Sequence, residues 1–333
     1  MLLNKDALMI GARAISTLGS PALVLFLLSP VFGELVSSVL TPLEFFNPVR
    51  LAITLVPYGC AAIAARELVI RRKKGFTSLV LLGLAFGLIF EGIVTRVLFN
   101  PSWEGLGALA SYGRAQGFSW VLAVGLEHFH ALISIVCPVL TAEALFPTQR
   151  KETWVPAPLL VLCCCAVPAW TFIMGVFVPY FPPFWHAVSL TAIVVGLVVL
   201  ADCIPKEPLP GGARRIPPPA VFGGIGGVGM TLIMVGTFIV PDWDARPAAS
   251  IMFFGLLTIM LIELGALVWL SNGGTWNDRH QLALVLGLLA FFLAFGVLKD
   301  LESFAGHSLV SGVALWRLFR LLRLRGTALS PST

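Results

Sequence analysis

Ten long apolar runs divide this sequence of 333 residues. They cover 7–33, 50–70, 77–99, 118–146, 154–178, 183–203, 219–241, 247–270, 281–299 and 304–319. An α-helix needs about 20 apolar residues to cross the hydrocarbon core of a bilayer. Only 12% of the residues are charged, against about 25% in soluble domains, so a water-soluble enzyme is excluded. The runs predict an all-α, polytopic membrane protein of about ten transmembrane helices.

Basic residues are concentrated in alternate loops. If the amino terminus is cytoplasmic, the cytoplasmic segments hold 17 of the 22 Lys and Arg residues, the outer loops hold 4, and Arg96 lies inside a span. Such an excess is typical of cytoplasmic loops, so we expect both termini in the cytoplasm and the chain in the cell (inner) membrane. We interpret the basic tail 317–325 as attracted to anionic lipids. The predicted partner is therefore the lipid bilayer, and no nucleic acid is expected.

The chain is expected to form a single transmembrane domain over residues 1–333. The Pro- and Gly-rich stretch 204–218 predicts a cytoplasmic linker, and if the domain is built as halves, these are 1–203 and 219–325. The segment from Glu34 to Arg50 is predicted to be an outer loop in which prolines interrupt helix. The outer loop 100–117 is expected to lie along the membrane interface. The six cysteines fall in or at the ends of spans, so we expect no disulfides.

Two short patterns are interpreted as structural. Residues 224–229, GIGGVG, satisfy a dinucleotide-binding pattern but lie in an apolar span without the βαβ unit that this fingerprint requires. We instead predict that Gly223 and Gly227 form a small-residue face for close helix packing. His128 and His130 point about 200° apart on a regular helix and cannot chelate one metal. Neither a cofactor nor a metal is predicted.

Ionisable residues deep in a span mark functional sites, because burying them in a membrane is unfavourable. Glu91 and Arg96 lie in the third run, and Glu127, His128 and His130 lie in the fourth. Four other acids lie nearer the cytoplasmic ends, where we expect them to reach the interface or to pair with Arg66 and its neighbours. These are Glu67, Glu143, Asp202 and Glu263.

Depth places three of these groups in one layer of the bilayer. Glu91 lies nine residues below the outer end of its span, about 13 Å at 1.5 Å per residue. Glu127 and His130 lie nine and twelve residues into the next, antiparallel span. Gly83 and Gly87 continue the face of Glu91 at four-residue spacing, which favours close helix approach. We therefore predict that Glu91 and His130 lie within hydrogen-bond reach, directly or through one water.

A carboxylate beside an imidazole in an apolar interior suits general acid–base work. The same pair also suits proton-coupled transport. A third interpretation is purely structural: a buried, hydrogen-bonded Glu–His pair that fixes the register of two helices. Residue types and spacing alone leave these three interpretations open.

The stretch FGLIFEGIVTRVLF, Phe86–Phe99, resembles the first motif of the intramembrane glutamate endopeptidases, the CaaX protease and bacteriocin-processing family. That motif is Glu-Glu-x-x-x-Arg: Glu91 matches its first Glu, Arg96 its Arg, and Gly92 stands in place of its second Glu. His130 would be the counterpart of the His in the family's Phe-x-x-x-His motif, with a leucine in place of the Phe. The third motif, His-x-x-x-Asn, has no counterpart. The chain is also similar to uncharacterised multi-spanning bacterial membrane proteins.

The resemblance implies a glutamate-type intramembrane hydrolase acting on a membrane-embedded substrate. Glu91 would activate water, His130 would assist it, and Glu127 is the next candidate carboxylate. The alternative is a transporter or channel for a small molecule, which the prolines within spans favour, since interrupted helices commonly build substrate sites; these are Pro57, Pro138 and Pro168. A non-catalytic assembly subunit is a further alternative.

Overall fold

The structure is a computed structural model that describes residues 19–208, 216–271 and 277–299, without the side chains of 297–299. Within these ranges nine long helices follow one another. They are α1 (Pro21–Val36), α2 (Pro48–Arg71), α3 (Phe76–Val94), α4 (Trp120–Leu145), α5 (Ala157–Phe177), α6 (Phe184–Cys203), α7 (Pro219–Phe238), α8 (Ala249–Leu270) and α9 (Asp278–Lys299).

Eight of these described helices, α2 to α9, are long and apolar enough to cross a membrane, and α1 is a shorter apolar helix. They correspond to the first nine predicted runs. The tenth run, 304–319, both termini and the start of the first run lie outside the described residues. The chain is thus an all-α, polytopic membrane protein, as its sequence predicts.

The segment after the first run differs from its prediction. It was predicted to be loop from Glu34, but α1 continues to Val36, and Glu34 is buried in its last turn. The two prolines of this segment begin helices instead of interrupting them. Pro42 opens the short helix Pro42–Phe45, and Pro48 opens α2. Proline suits a first helical position because its missing N–H would have no partner there.

Helix α4 forms the centre of the described bundle. In an apolar stretch of 18 residues within α4, 89% of the residues are buried, whereas the share is 17–22% in the corresponding stretches of α5, α6 and α8. Helices α1 and α3 pack against one side of α4, and α7 and α8 pack against the other. Polar residues of α4 therefore meet partners from two groups of helices.

Close packing of α7 on α9 depends on glycine. A Cβ atom on Gly223 would lie 2.9 Å from the carbonyl oxygen of Ala283, and one on Gly227 would lie 3.2 Å from that of Gly287. Real Cβ atoms rarely make such short contacts with backbone, so the two helices approach through these glycines. The prediction that Gly223 and Gly227 form a packing face is confirmed.

One end of the bundle holds the Lys and Arg residues of 66–74 and is here called the basic end. Ion pairs join its helices. The buried Arg66 contacts Glu67 at 2.8 Å and Glu143 at 3.5 Å, and its guanidinium lies 3.6 Å from the centre of the Trp154 ring. The predicted pairing of Glu67 and Glu143 with Arg66 is confirmed. These contacts tie α2 and α4 to the segment that precedes α5.

Asp202 pairs with a neighbour of Arg66, as predicted. Its Oδ1 accepts a hydrogen bond from Arg72 Nε at 2.6 Å, and its Oδ2 accepts a second from Nη2. This hydrogen-bonded carboxylate raises the pKa of Arg72. The pair joins the end of α2 to the end of α6.

The opposite end carries the loop between α3 and α4. Two short antiparallel strands, β1 (Arg114–Ala115) and β2 (Phe118–Ser119), form a hairpin there. Its turn holds Gln116 and Gly117 at φ of 52° and 77°, a left-handed conformation that glycine adopts readily. Burial lowers the pKa of Arg114, whose guanidinium donates to the carbonyl oxygens of Leu98 and Phe99, near the start of the loop. All six cysteines of the chain are free thiols.

Candidate functional site

Glu91 and His130 contact each other directly. The Nε2 atom of His130 lies 2.7 Å from Oε1 of Glu91, and both residues are buried. The other polar atom of each side chain is also held: Thr95 Oγ1 donates to Glu91 Oε2 at 2.9 Å, and His130 Nδ1 lies 3.1 Å from Ser134 Oγ. The prediction that these two residues lie within hydrogen-bond reach is confirmed.

Both residues lie in π-helical turns. Glu91 is in Leu88–Val94 of α3, and His130 begins His130–Val136 of α4. A third π-helical segment, Val31–Val36, ends α1. π-Helical segments are rare in proteins, and those that do occur are frequently at functional sites. Three of them meet around one pair of side chains here.

A proline explains one polar contact of the turn in α4. Pro138 has no N–H, so in a regular helix it would leave the carbonyl of Ser134 without its usual donor. Ser29 of α1 supplies that donor, because its Oγ lies 2.7 Å from the Ser134 carbonyl oxygen. This is how interrupted helices keep their backbone groups satisfied in a membrane. The bond also anchors α1 beside His130.

Aromatic rings surround the imidazole of His130. Ring centres lie 5.1–5.8 Å from it on several sides. Three belong to Phe86, Phe90 and Phe129, and the fourth belongs to Tyr58 of α2. Apolar surroundings strengthen the electrostatic interaction between imidazole and carboxylate by keeping water away.

The glycine stripe of α3 faces α4, as predicted. A Cβ atom on Gly83 would lie 2.8 Å from Ala131 Cα, and one on Gly87 would lie 2.5 Å from Glu127 Oε2. Glu127 is buried, and its carboxylate is an electrostatic neighbour of Glu91. Neither Glu127 oxygen has a hydrogen bond of ordinary geometry, although the Leu88 amide lies close. Glu91, Glu127 and His130 thus occupy one layer.

The sequence analysis missed two further groups of this site, Glu34 and Tyr58. Their side chains hydrogen-bond with each other, and both are electrostatic neighbours of Glu91. Glu34 was missed because it was assigned to a loop. The residues before Pro42 and Pro48 are Thr41 and Asn47, both good helix N-caps. This pattern indicates that new helices begin there and leaves Glu34 to the end of α1.

Arg96 faces away from the pair. It follows the end of α3 in a left-handed conformation, with φ of 64°. Its guanidinium donates to the carbonyls of Thr171 and Val178 at 3.0 and 2.8 Å and lies over the ring of Phe181. It forms neither a hydrogen bond nor an ion pair with Glu91 in the described structure. The geometry gives Arg96 the role of joining the end of α3 to the end of α5.

Gly92 stands where the resemblance expects a second glutamate. A Cβ atom there would overlap the side chain of Leu190 on α6. A larger residue at this position would therefore force the Leu190 side chain to move.

A second Glu–His pair lies on the other side of α4. His128 Nε2 is 3.2 Å from Oε2 of Glu263 on α8, and both side chains are buried. Glu263 was predicted to reach the interface or to pair with Arg66 and its neighbours. That prediction is wrong, because Glu263 is buried inside the bundle and pairs with His128. Gly229 of α7 leaves the room that its carboxylate occupies.

The two histidines have separate partners on opposite sides of α4, as their spacing predicts. Among the described residues, no group of three or more His, Cys, Asp or Glu side chains is placed to hold a metal ion. The chemistry that this arrangement offers is proton transfer between a carboxylate and an imidazole.

The chain matches no curated protein and no solved structure. The family comparison does give a match, which covers residues 23–327 and so includes every described helix but the first two residues of α1. The chain belongs to an Uncharacterized membrane protein family.

Proposed function

We propose that this membrane protein is a glutamate-type intramembrane hydrolase in which Glu91 is the general base and His130 its partner. The observation that carries the proposal is the 2.7 Å contact between Glu91 Oε1 and His130 Nε2 inside the bundle. Their positions match the first Glu and the His of the glutamate endopeptidase motifs, and the two lie 39 positions apart in the chain. The protein would lie in the cell membrane with its basic end facing the cytoplasm.

The exposure of the two side chains supports this division of roles. Glu91 keeps 11% of its side-chain surface accessible, whereas His130 keeps 1%. Water and substrate therefore approach from the Glu91 side, and His130 acts from behind it. Thr95 and Ser134 fix the carboxylate and the ring, as orienting groups do in acid–base sites.

The proposed reaction is hydrolysis of an amide bond. Glu91 takes a proton from a water molecule, and the resulting hydroxide adds to the carbonyl carbon of the substrate. The C–N bond then breaks, and the proton held between Glu91 and His130 passes to the leaving nitrogen. The products are a carboxylic acid and an amine, so one water is consumed for each bond cut.

The first experiment follows the oxygen of that water. Membranes containing the protein are incubated in H₂¹⁸O, and mass spectrometry identifies new peptide carboxyl termini that carry ¹⁸O. We expect Glu91→Gln to lower their formation by at least about 100-fold, the effect of losing a general base. Glu263→Gln is the matched control, because it changes a buried carboxylate of the other Glu–His pair. Equal ¹⁸O incorporation by wild type and a folded Glu91→Gln variant would contradict the proposal.

A second candidate function is proton-coupled transport of a small molecule. The observation that favours it is the gathering of buried carboxyl groups, since Glu34 and Glu127 both lie near Glu91. A hydrolase needs one base, whereas a proton path through a membrane uses chains of such groups. This candidate predicts that proteoliposomes with pyranine inside show proton uptake that Glu91→Gln abolishes. A non-catalytic assembly subunit predicts neither ¹⁸O incorporation nor proton uptake.

A further inference from the structure

A cavity of about 270 Å³ lies at the basic end, between α2, α3 and α6. Its walls are of two kinds. Leu68, Leu82, Val198 and Val199 form an apolar side, and Arg72, Lys74, Ser78 and Asp202 form a polar side. Val199 is 54% exposed on the outer surface of the bundle, so the apolar side continues into the region where lipid chains lie.

Ser78 lines this cavity with an unpaired polar group. The residue is 1% exposed, and its hydroxyl oxygen is buried with no hydrogen-bond partner. A buried hydroxyl without a partner is unfavourable by about 1–3 kcal/mol. A ligand atom that accepts a hydrogen bond would remove this penalty.

The start of α3 supplies further donors beside Ser78. The N-cap is Gly75, and no side chain caps the first turn. The first amide groups of a helix point outward and carry a partial positive charge, which favours bound anions. Ser78 lies in this first turn, and both Ser78 and Lys74, the residue before the N-cap, line the cavity.

The charges around the cavity are also suited to an anion. Arg72 and Asp202 form a pair with two hydrogen bonds, so their charges offset each other. Lys74 donates to the carbonyl oxygen of Ile204 at 3.1 Å. Lys74 forms no ion pair within residues 19–208, 216–271 and 277–299, although Asp202 is an electrostatic neighbour. With Arg72 and Lys74 against Asp202, the polar side keeps one net positive charge for a ligand.

We propose that this cavity binds the phosphate of an anionic phospholipid. Ser78, Lys74 and the start of α3 would hold the phosphate, while the acyl chains lie along Leu82 and the valines of α6. Basic pockets between helices on the cytoplasmic side commonly hold such head groups. This proposal does not depend on the Glu91–His130 pair.

Native mass spectrometry of the purified protein in detergent tests the site with dioleoylphosphatidylglycerol as the probe. We expect one retained lipid whose affinity falls about fivefold in Lys74→Gln, the effect of one basic residue on an anionic lipid. Ser78→Ala should weaken binding about threefold through one lost hydrogen bond. Ser78→Leu, which fills the cavity, should prevent retention.

Lys73→Gln is the matched control, because it removes the same charge from the adjacent residue, which does not line the cavity. We expect its affinity within twofold of wild type. An equal loss in Lys73→Gln and Lys74→Gln would contradict the proposal, as would equally tight, equally sensitive retention of dioleoylphosphatidylcholine. Displacement of the lipid by millimolar inorganic phosphate would assign the site to a free anion instead. If Ser78→Leu fails to fold, Ser78→Ala and Lys74→Gln still decide the test.

Discussion

Helix α4 supplies the histidines of two Glu–His pairs, two positions apart, and the pairs differ in every contact beyond the pair itself. In the first, His130 Nε2 and Glu91 Oε1 are 2.7 Å apart, and Ser134 and Thr95 contact the remaining polar atoms. In the second, His128 and Glu263 are 3.2 Å apart. The four polar atoms of that pair lack hydrogen bonds of ordinary geometry.

The surroundings explain the difference. The first pair lies among π-helical turns of two neighbouring helices, whose small residues let the side chains approach closely. The second joins α4 to α8 across a space left by Gly229. A fully hydrogen-bonded network holds one geometry, which proton transfer requires, whereas a looser contact mainly fills space between helices. The comparison therefore favours the first pair as the place of the proposed chemistry and favours a packing role for the second.

Removing one histidine at a time gives the largest expected contrast. His130→Phe leaves the Glu91 carboxylate buried without its partner, so we expect the free energy of unfolding to fall by about 3 kcal/mol. His128→Phe should lower it by about 1 kcal/mol, because the contact it removes is already poor. Denaturant unfolding in detergent micelles measures both values. Equal losses would show that the two pairs are equivalent and would break the comparison.

The packing role of the second pair predicts an intermediate effect. Gly229→Ala places a methyl group where the Glu263 carboxylate lies, and we expect a loss of about 1–3 kcal/mol from overpacking. Gly224→Ala on the same helix is the control. A Cβ atom there meets nothing within 4 Å, so this change should be neutral or stabilise the helix by up to about 1 kcal/mol. The same unfolding assay distinguishes them, and a neutral Gly229→Ala would refute the packing role.

The smallest contrast concerns two hydroxyl groups on α4. Ser134→Ala removes the partner of His130 Nδ1 and should destabilise the fold by about 1 kcal/mol. The hydroxyl of Thr141 is buried without a partner, so Thr141→Val should be neutral or slightly stabilising. Thermal unfolding of the two variants side by side measures the difference. If Ser134→Ala is also neutral, the network around His130 contributes no stability.

Hydropathy alone predicts most of the fold. A segment that crosses a membrane must be a helix, because its backbone groups can bond only to one another. It needs about 20 apolar residues to do so, and such a run is easily recognised in the sequence. Equal depth on consecutive antiparallel helices likewise predicts the contact of Glu91 with His130. Both inferences need only distances along the chain.

Apolar runs and depth along the chain do not predict which helices that are far apart in sequence contact each other. His128 and Glu263 are on α4 and α8, and nothing in the sequence indicates that these helices are neighbours. Glu34 was missed for a different reason, since a helix end was placed three residues too early. Arg96 was placed inside a span for a third reason. The helix ends just before it, and Arg96 has a left-handed conformation. Glycine at that position would have indicated a helix end, but arginine does not.

The π-helical turns have a consequence for how such a site arises. A π turn holds one residue more than the α turn that it replaces, so residues on its two sides are offset by about 100° from their places on a regular helix. Loss of a single residue from His130–Val136 would restore the regular helix and rotate one half of α4 against the other. Ser134 and the residues that follow would then face different neighbours, with the composition of the helix almost unchanged. A single-codon insertion or deletion is therefore enough to create or dismantle this arrangement of helices, because it turns a whole helical half at once, whereas a substitution changes one side chain.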